Sequence, residues 1–446
     1  MISQGDVCIE DNTPLAHKVV RFILFISSFT WAVNPVQDYM GESTPMEKIF
    51  TRMIPLLIVA GYCIRQHRER LRRLFLPGLI PVLWYVFVGV IGGFTGIQPM
   101  LALWKGAEIM IALMWIVSVC YDAKSTQMEF VAFLRWAEIL LGVTVVLAFI
   151  SPARGFQHSA SFIPWMRGYY PIINPNALGF MSVYVMTRLL FLPAKHKIPR
   201  MMLVSFTLLC AQSRTSYAVT GVVLLIFVFE GVRSRQFFRV FLAMAFGLFA
   251  MCLAIGWMET LVKIFLRGQD AEEFSSLSGR TNYWDFTLSH VKWLGGGLAT
   301  GARSLIFVSD DVFYKGIVGT HNAFVEALID AGYVGAIPFI AGMIIFHLKQ
   351  TFNAFARPST MNAVFLCFVA ICVARCMTSM VMALYSFDFI ILMYYFAWQL
   401  QKRPAPNQPK SRPKPVVYEK TLHEMGQENA EACCAPLSQN ACQLCR

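Results

Sequence analysis

The sequence predicts an all-α, polytopic membrane protein of about twelve transmembrane helices, and three observations carry that prediction. Of 446 residues, 57% are hydrophobic and 14% charged, with a mean hydropathy of +0.55. So little polar surface does not close over one soluble core. The apolar residues fall in runs long enough to cross a bilayer at roughly 17 to 25 residues each. The basic residues, which give a net charge of +12, sit in alternate loops.

Spans are expected near 19–34, 49–64, 74–96, 99–120, 130–150, 175–192, 201–213, 215–232, 237–258, 323–347, 361–379 and 383–400. The first run follows Lys18 and Arg21 and leads into Asn34-Pro35-Val36 without a small-residue cleavage site, so it reads as an uncleaved first span. Arg65, Arg68, Arg70, Arg72 and Arg73 lie between spans two and three; Arg188, Lys195, Lys197 and Arg200 follow span six; Arg233, Arg235 and Arg239 follow span eight. This positive-inside pattern places those loops and both termini, 1–18 and 401–446, in the cytoplasm. Because the charge is spread over loops, it points to membrane topology and away from nucleic acid.

Of the 12 cysteines, none falls in an expected outer loop, which leaves no disulfide framework there. Cys433, Cys434, Cys442 and Cys445 crowd a tail rich in proline, lysine and arginine; it reads as a reduced, disordered, juxtamembrane segment, with a zinc site as the alternative. No Gly-Lys-Ser/Thr phosphate loop, Gly-x-Ser-x-Gly elbow or outward metal-ligand cluster occurs.

Between the spans, the stretch 259–320 is far longer than an ordinary connection and so is expected to be functional. Within it, Ser278-Gly-Arg-Thr-Asn-Tyr-Trp-Asp-Phe-Thr-Leu288 reads as a capped amphipathic helix lying along the membrane surface, with Ser278 or Thr281 as cap. Gly295-Gly-Gly297 with Gly301 reads as a flexible turn that lets a substrate approach the backbone.

Arg214 interrupts an apolar run in Cys210-Ala-Gln-Ser-Arg-Thr-Ser-Tyr217. A helix from Arg200 reaches it after roughly 21 Å, short of a hydrocarbon core about 30 Å thick. A permanent charge at that depth either meets an anion such as phosphate, snorkels outward, or pairs with a carboxylate of a neighbouring span such as Asp388 or Glu108. Arg375, about as deep in span eleven, is a second candidate for the same anion. Lys105 and Glu108, three residues apart, are expected to neutralise each other. Arg280 stands at the start of the surface helix, where a cation opposes the helix dipole and an outside anion would relieve it. His321, with Thr320 as cap, is expected at the first helical position of span ten, where the dipole keeps the imidazole neutral and able to accept a proton. Its alternative is a histidine that hydrogen-bonds Asn322 or interfacial lipid.

These segments together resemble the O-antigen ligase and polymerase superfamily of bacterial glycan assembly, including exopolysaccharide polymerases. The resemblance spans roughly 170–345 and rests on Asn174-Pro-Asn-Ala-Leu-Gly179, Ser213-Arg-Thr-Ser216, Ser278-Gly-Arg-Thr281 with Trp284, and His321-Asn322 followed by Gly332-Tyr-Val-Gly335. It implies a metal-independent, inverting glycosyltransferase without a cofactor. It also implies a glycan donor on undecaprenyl diphosphate, an acceptor that is another lipid-linked repeat or lipid A core, and a site at the periplasmic face of the inner membrane. Flippase and chain-length regulator proteins are the implied partners. Carried over by motif, the family's two arginines fall on Arg214 and Arg280 and its histidine on His321, with Trp284, Asn322 and Arg375 as further substrate-binding candidates. The Gly-rich Trp293–Gly297 segment and the short lead into the surface helix lean towards a polymerase. A ligase is the first alternative, and a transporter for a lipid-linked glycan the second. A passive envelope subunit has no need of Arg214.

Overall fold

The computed structural model describes residues 13–29, 52–96, 98–157, 164–166, 175–232, 280–305, 320–356, 359–379 and 383–401. All of them fall in the first of two units, 1–402 and 403–446. The expected span 237–258 and the Cys-rich tail lie outside the described residues.

The described chain is helical. Its longer helices are α1 (Leu15–Ser27), α2 (Ile54–His67), α3 (Ile80–Phe94), α4 (Pro99–Val119), α5 (Ala123–Ile150), α6 (Pro175–Phe191), α7 (Lys197–Ala211), α8 (Arg214–Val232), α9 (Arg280–Ser289), α10 (Ala323–Ala356), α11 (Thr360–Thr378) and α12 (Phe387–Gln401). The one ladder among these residues pairs Phe156–Gln157 with Trp165–Met166. Four helices, α4, α5, α10 and α11, are long and apolar enough to cross a membrane. A fifth span arises if α2 with its 3₁₀ continuation and α3, bent by 95°, count as one. Length and composition thus give a multi-pass helical membrane protein, a coarser result than twelve spans.

Local chemistry explains the helix starts, including those the apolar runs misplaced. Pro55, Pro81 and Pro99 open α2, α3 and α4, where the missing N–H costs nothing. The fifth helix begins at Ala123 rather than near 130, because Asp122 and Ser125 form a capping box: Ser125 N donates to Asp122 Oδ1 at 2.6 Å and Asp122 N to Ser125 Oγ at 3.0 Å. The twelfth begins at Phe387 rather than 383, with Ser386 Oγ accepting from Phe389 N at 3.1 Å. The 3₁₀ segment Arg68–Phe75 follows α2 and puts its arginines at the carbonyl end of α4. There Arg70 donates to Ser118 O at 2.9 Å and Arg73 to Tyr121 O at 3.1 Å, as a helix C-terminus favours.

Within the bundle, four acidic groups hold basic side chains, as charges buried among apolar spans require. Glu129 of α5 meets His17 of α1 at 2.8 Å, with Arg21 at 3.7 Å. Glu108 of α4 meets Arg52 at 2.7 Å and Lys105 at 3.1 Å, so the expected neutral pair is a triad. Glu138 of α5 takes Arg188 at 2.7 Å and also Arg200. Asp388 of α12 takes Arg375 of α11.

Candidate functional site

Arg214 lies at a break between two helices. Gln212 adopts a left-handed backbone (φ 49°) that ends α7, and Arg214 is the first residue of α8. Ser213 braces the new helix: Tyr217 N donates to Ser213 O at 3.0 Å, and Ser216 Oγ to Ser213 Oγ at 2.9 Å. Against this turn lies Gly179 of α6, where a Cβ would stand 2.6 Å from Ser216 Oγ and 3.0 Å from Ser213 Cβ. Two segments read as separate motifs are therefore one contact, and Gly179 is what lets α6 close on it. The Arg214 side chain itself is half-buried.

His321 is presented differently from its expectation. The helix starts two residues later, at Ala323, because Asn322 is the cap: its Oδ1 accepts from Phe324 N at 2.9 Å and Val325 N at 3.3 Å. His321 precedes that cap, exposed and with φ 52°, so the helix amides converge on Asn322 rather than on the imidazole. A left-handed backbone at a side chain larger than glycine costs of order 1–3 kcal/mol and persists only where its surroundings over-determine it. They do so here. Thr320 is fully buried; its N and Oγ1 donate to Glu326 Oε2 at 3.0 and 2.9 Å, and its carbonyl accepts from Trp284 Nε1 at 2.7 Å. Asn322 N donates to Thr320 Oγ1 at 3.3 Å.

Trp284 thereby joins the helix that begins at Arg280 to the histidine turn. α9 carries the buried Tyr283 and Thr287 and packs against α10. Burial, and after it the carboxylate of Glu326, pushes the Tyr283 phenol above its ordinary range. Of the two expected caps, Ser278 lies outside the described residues and Thr281 falls inside α9, after its first residue.

The glycine segment after α9 is not an open turn. α10 is broken at Gly332 (φ 63°), a conformation that only glycine adopts without strain, and Trp293–Thr300 fills the break. Gly296 N donates to Ile329 O and Gly297 N to Asp330 O, both at 2.9 Å, and Val334 N donates to Trp293 O at 3.2 Å. The buried Asp330 carboxylate accepts from Ala299 N at 2.8 Å and Gly301 N at 3.1 Å, and Leu298 N reaches Gly89 O of α3 at 3.2 Å. These glycines bring backbone against backbone inside the protein, which replaces the expected substrate approach. Pro338 frees one further carbonyl, Val334 O, which takes Trp84 Nε1 at 2.8 Å.

Arg375 is buried and held in a fork by Asp388, at 3.2 Å from Nε to Oδ1 and 2.7 Å from Nη2 to Oδ2, above the ring of Phe180. Tyr184 OH donates to the same carboxylate at 2.9 Å. The charge of Arg375 is met within the protein by that carboxylate. Both α8, headed by Arg214, and α10, preceded by His321, pack against α11. Sequence reading passed over Glu326 and Asp330; their spacing of four on an apolar helix was the available signal.

Residues 200–340 match the O-antigen ligase family model. The match supports a relationship of this region to the O-antigen ligase and polymerase superfamily. The matched region runs from the start of α7 past the Gly332 break and contains Arg214, Arg280, Trp284, His321 and Asn322. A search of curated proteins gives no match. The family match supports glycan transfer of the O-antigen ligase or polymerase type in general.

Proposed function

We propose that the protein polymerises repeat units of an exopolysaccharide or O-antigen at the periplasmic face of the bacterial inner membrane, taking glycan from an undecaprenyl-diphosphate carrier. On this reading the chain has twelve spans with both termini in the cytoplasm. The observation that carries it is the strained, exposed His321 turn bonded through Trp284 to the helix that Arg280 begins.

In the reaction, the acceptor hydroxyl oxygen attacks the anomeric carbon and passes its proton to the His321 imidazole. The bond from that carbon to the diphosphate oxygen breaks with inversion, and the lipid diphosphate leaves. Its growing charge is met by Arg214 and Arg280, fixed cations whose planar donor forks suit phosphate oxygens. A positioned base of this kind contributes typically about 10²–10⁴ in rate. Trp284 and Asn322 shape the turn, and the glycine segment supports it from within. Chain-length regulator and flippase proteins would deliver and limit the substrate.

His321→Ala and Arg214→Ala are expected to abolish polymer at normal membrane levels of protein. Arg214→Lys is also expected to be impaired, because a lysine lacks the bidentate fork. Gel analysis of glycan from complemented deletion strains is the measurement; wild-type polymer from either alanine variant would reject these roles. In the same strains, single unpolymerised repeats mark a polymerase, whereas full-length chains left on the carrier mark a ligase.

A further inference from the structure

We infer that Glu326 is the positioning residue of the transfer reaction: its buried carboxylate holds Thr320 and so fixes the backbone on which His321 meets the acceptor. The inference rests on His321 being the base.

Glu326 is 2% exposed and sits one turn into α10. One of its oxygens, Oε2, takes both donors of Thr320, the amide and the hydroxyl. The single proton of that hydroxyl is shared with Asn322 O, 2.7 Å from Oγ1, and Asn322 O also accepts from Glu326 N at 2.9 Å, so the carboxylate, Thr320 and the cap close a ring of hydrogen bonds around the residue between them. That residue is His321, the one exposed member of an otherwise buried turn. From the opposite side Trp284 fixes the Thr320 carbonyl. The bonds of this ring are made by Thr320, Asn322 and Glu326. What the ring determines is the direction in which the chain presents the imidazole, so Glu326 acts on the reaction through His321.

The role requires an acceptor oxygen, not a charge, which separates it from electrostatic tuning. Glu326→Gln keeps an oxygen that can accept both bonds, whereas Glu326→Ala keeps none. With purified full-length protein and undecaprenyl-diphosphate-linked oligosaccharide, Glu326→Ala is expected to lower kcat at least tenfold with KM within about twofold, and Glu326→Gln to restore most of kcat. On the residual turnover of purified His321→Ala, lower by about 10²–10⁴ and too slow to build visible polymer, Glu326→Ala is expected to add nothing, because residues acting through one group are not additive. Unchanged kcat in Glu326→Ala, equal loss in the Gln and Ala variants, or a further loss on top of His321→Ala would each overturn the inference. If Glu326→Ala does not accumulate in the membrane, Thr320→Val replaces it, with Thr320→Ser as its rescue; equal activity of those two would overturn it as well. Full activity of His321→Ala would instead refute the base assignment, a distinct outcome.

Discussion

Gly179 sets how closely α6 approaches the turn that carries Arg214. Any side chain there must displace Ser216 or Ser213, and overpacking of this kind costs about 1–3 kcal/mol. Gly179→Ala is therefore expected to lower the unfolding temperature in detergent and to reduce glycan transfer together; a variant with wild-type melting and activity would show that the approach is slack. His321 teaches a related lesson. Its residue type and order in the chain suggested a base, but its conformation was not legible, because Thr-His-Asn offers two plausible caps and only the packed carboxylate of Glu326 selects Asn322. Arg375 was equally ambiguous. A deep arginine reads the same whether its anion comes from outside or, as here, from the carboxylate of Asp388.

At the level of the element, α10 is the organising piece. It is interrupted twice, by Gly332 and by Pro338, and in an apolar surrounding each freed backbone group must find a partner. The Trp293–Thr300 segment supplies partners for the first break and Trp84 for the second. Trp84→Phe removes the donor to Val334 O with little change in ring packing, and leaving that carbonyl unsatisfied is expected to cost about 1–3 kcal/mol. Denaturation of the purified protein checks this; no loss would mean that lipid or water replaces the indole. The element was visible in the sequence as a long apolar run, and the glycines were visible as a turn. What was missing was the pairing between them, a contact between residues more than thirty positions apart that no local pattern encodes.

Across the whole molecule, helices are tied by ion pairs between spans rather than by apolar packing alone. Arg375 and Asp388 link α11 to α12, and Tyr184 of α6 shares the carboxylate. Removing one partner of a buried pair strands the other charge, typically at about 3–5 kcal/mol, while replacing both with apolar residues is far milder. Arg375→Met and Asp388→Leu are each expected to reduce folded protein in the membrane sharply, and the double variant to recover much of it. If the double variant were as poor as either single one, the pair would have a role beyond mutual neutralisation. This pair stands against α6, and its helix α11 packs on the helix headed by Arg214.

The sequence by itself determined the helical membrane class, the approximate places of the described helices and the order of the motif residues. Those follow from apolar run length, prolines at helix starts and the chemistry of single side chains. Tertiary structure alone decided that Gly179 meets Ser216, that Glu326 grips Thr320, that the glycine segment fills the break in α10 and that Arg375 belongs to Asp388. Each of these depends on which helices become neighbours, and in a chain whose spans are all apolar, hydropathy treats every neighbour alike. The choice among them is made by a few buried polar groups, whose partners lie far away along the chain.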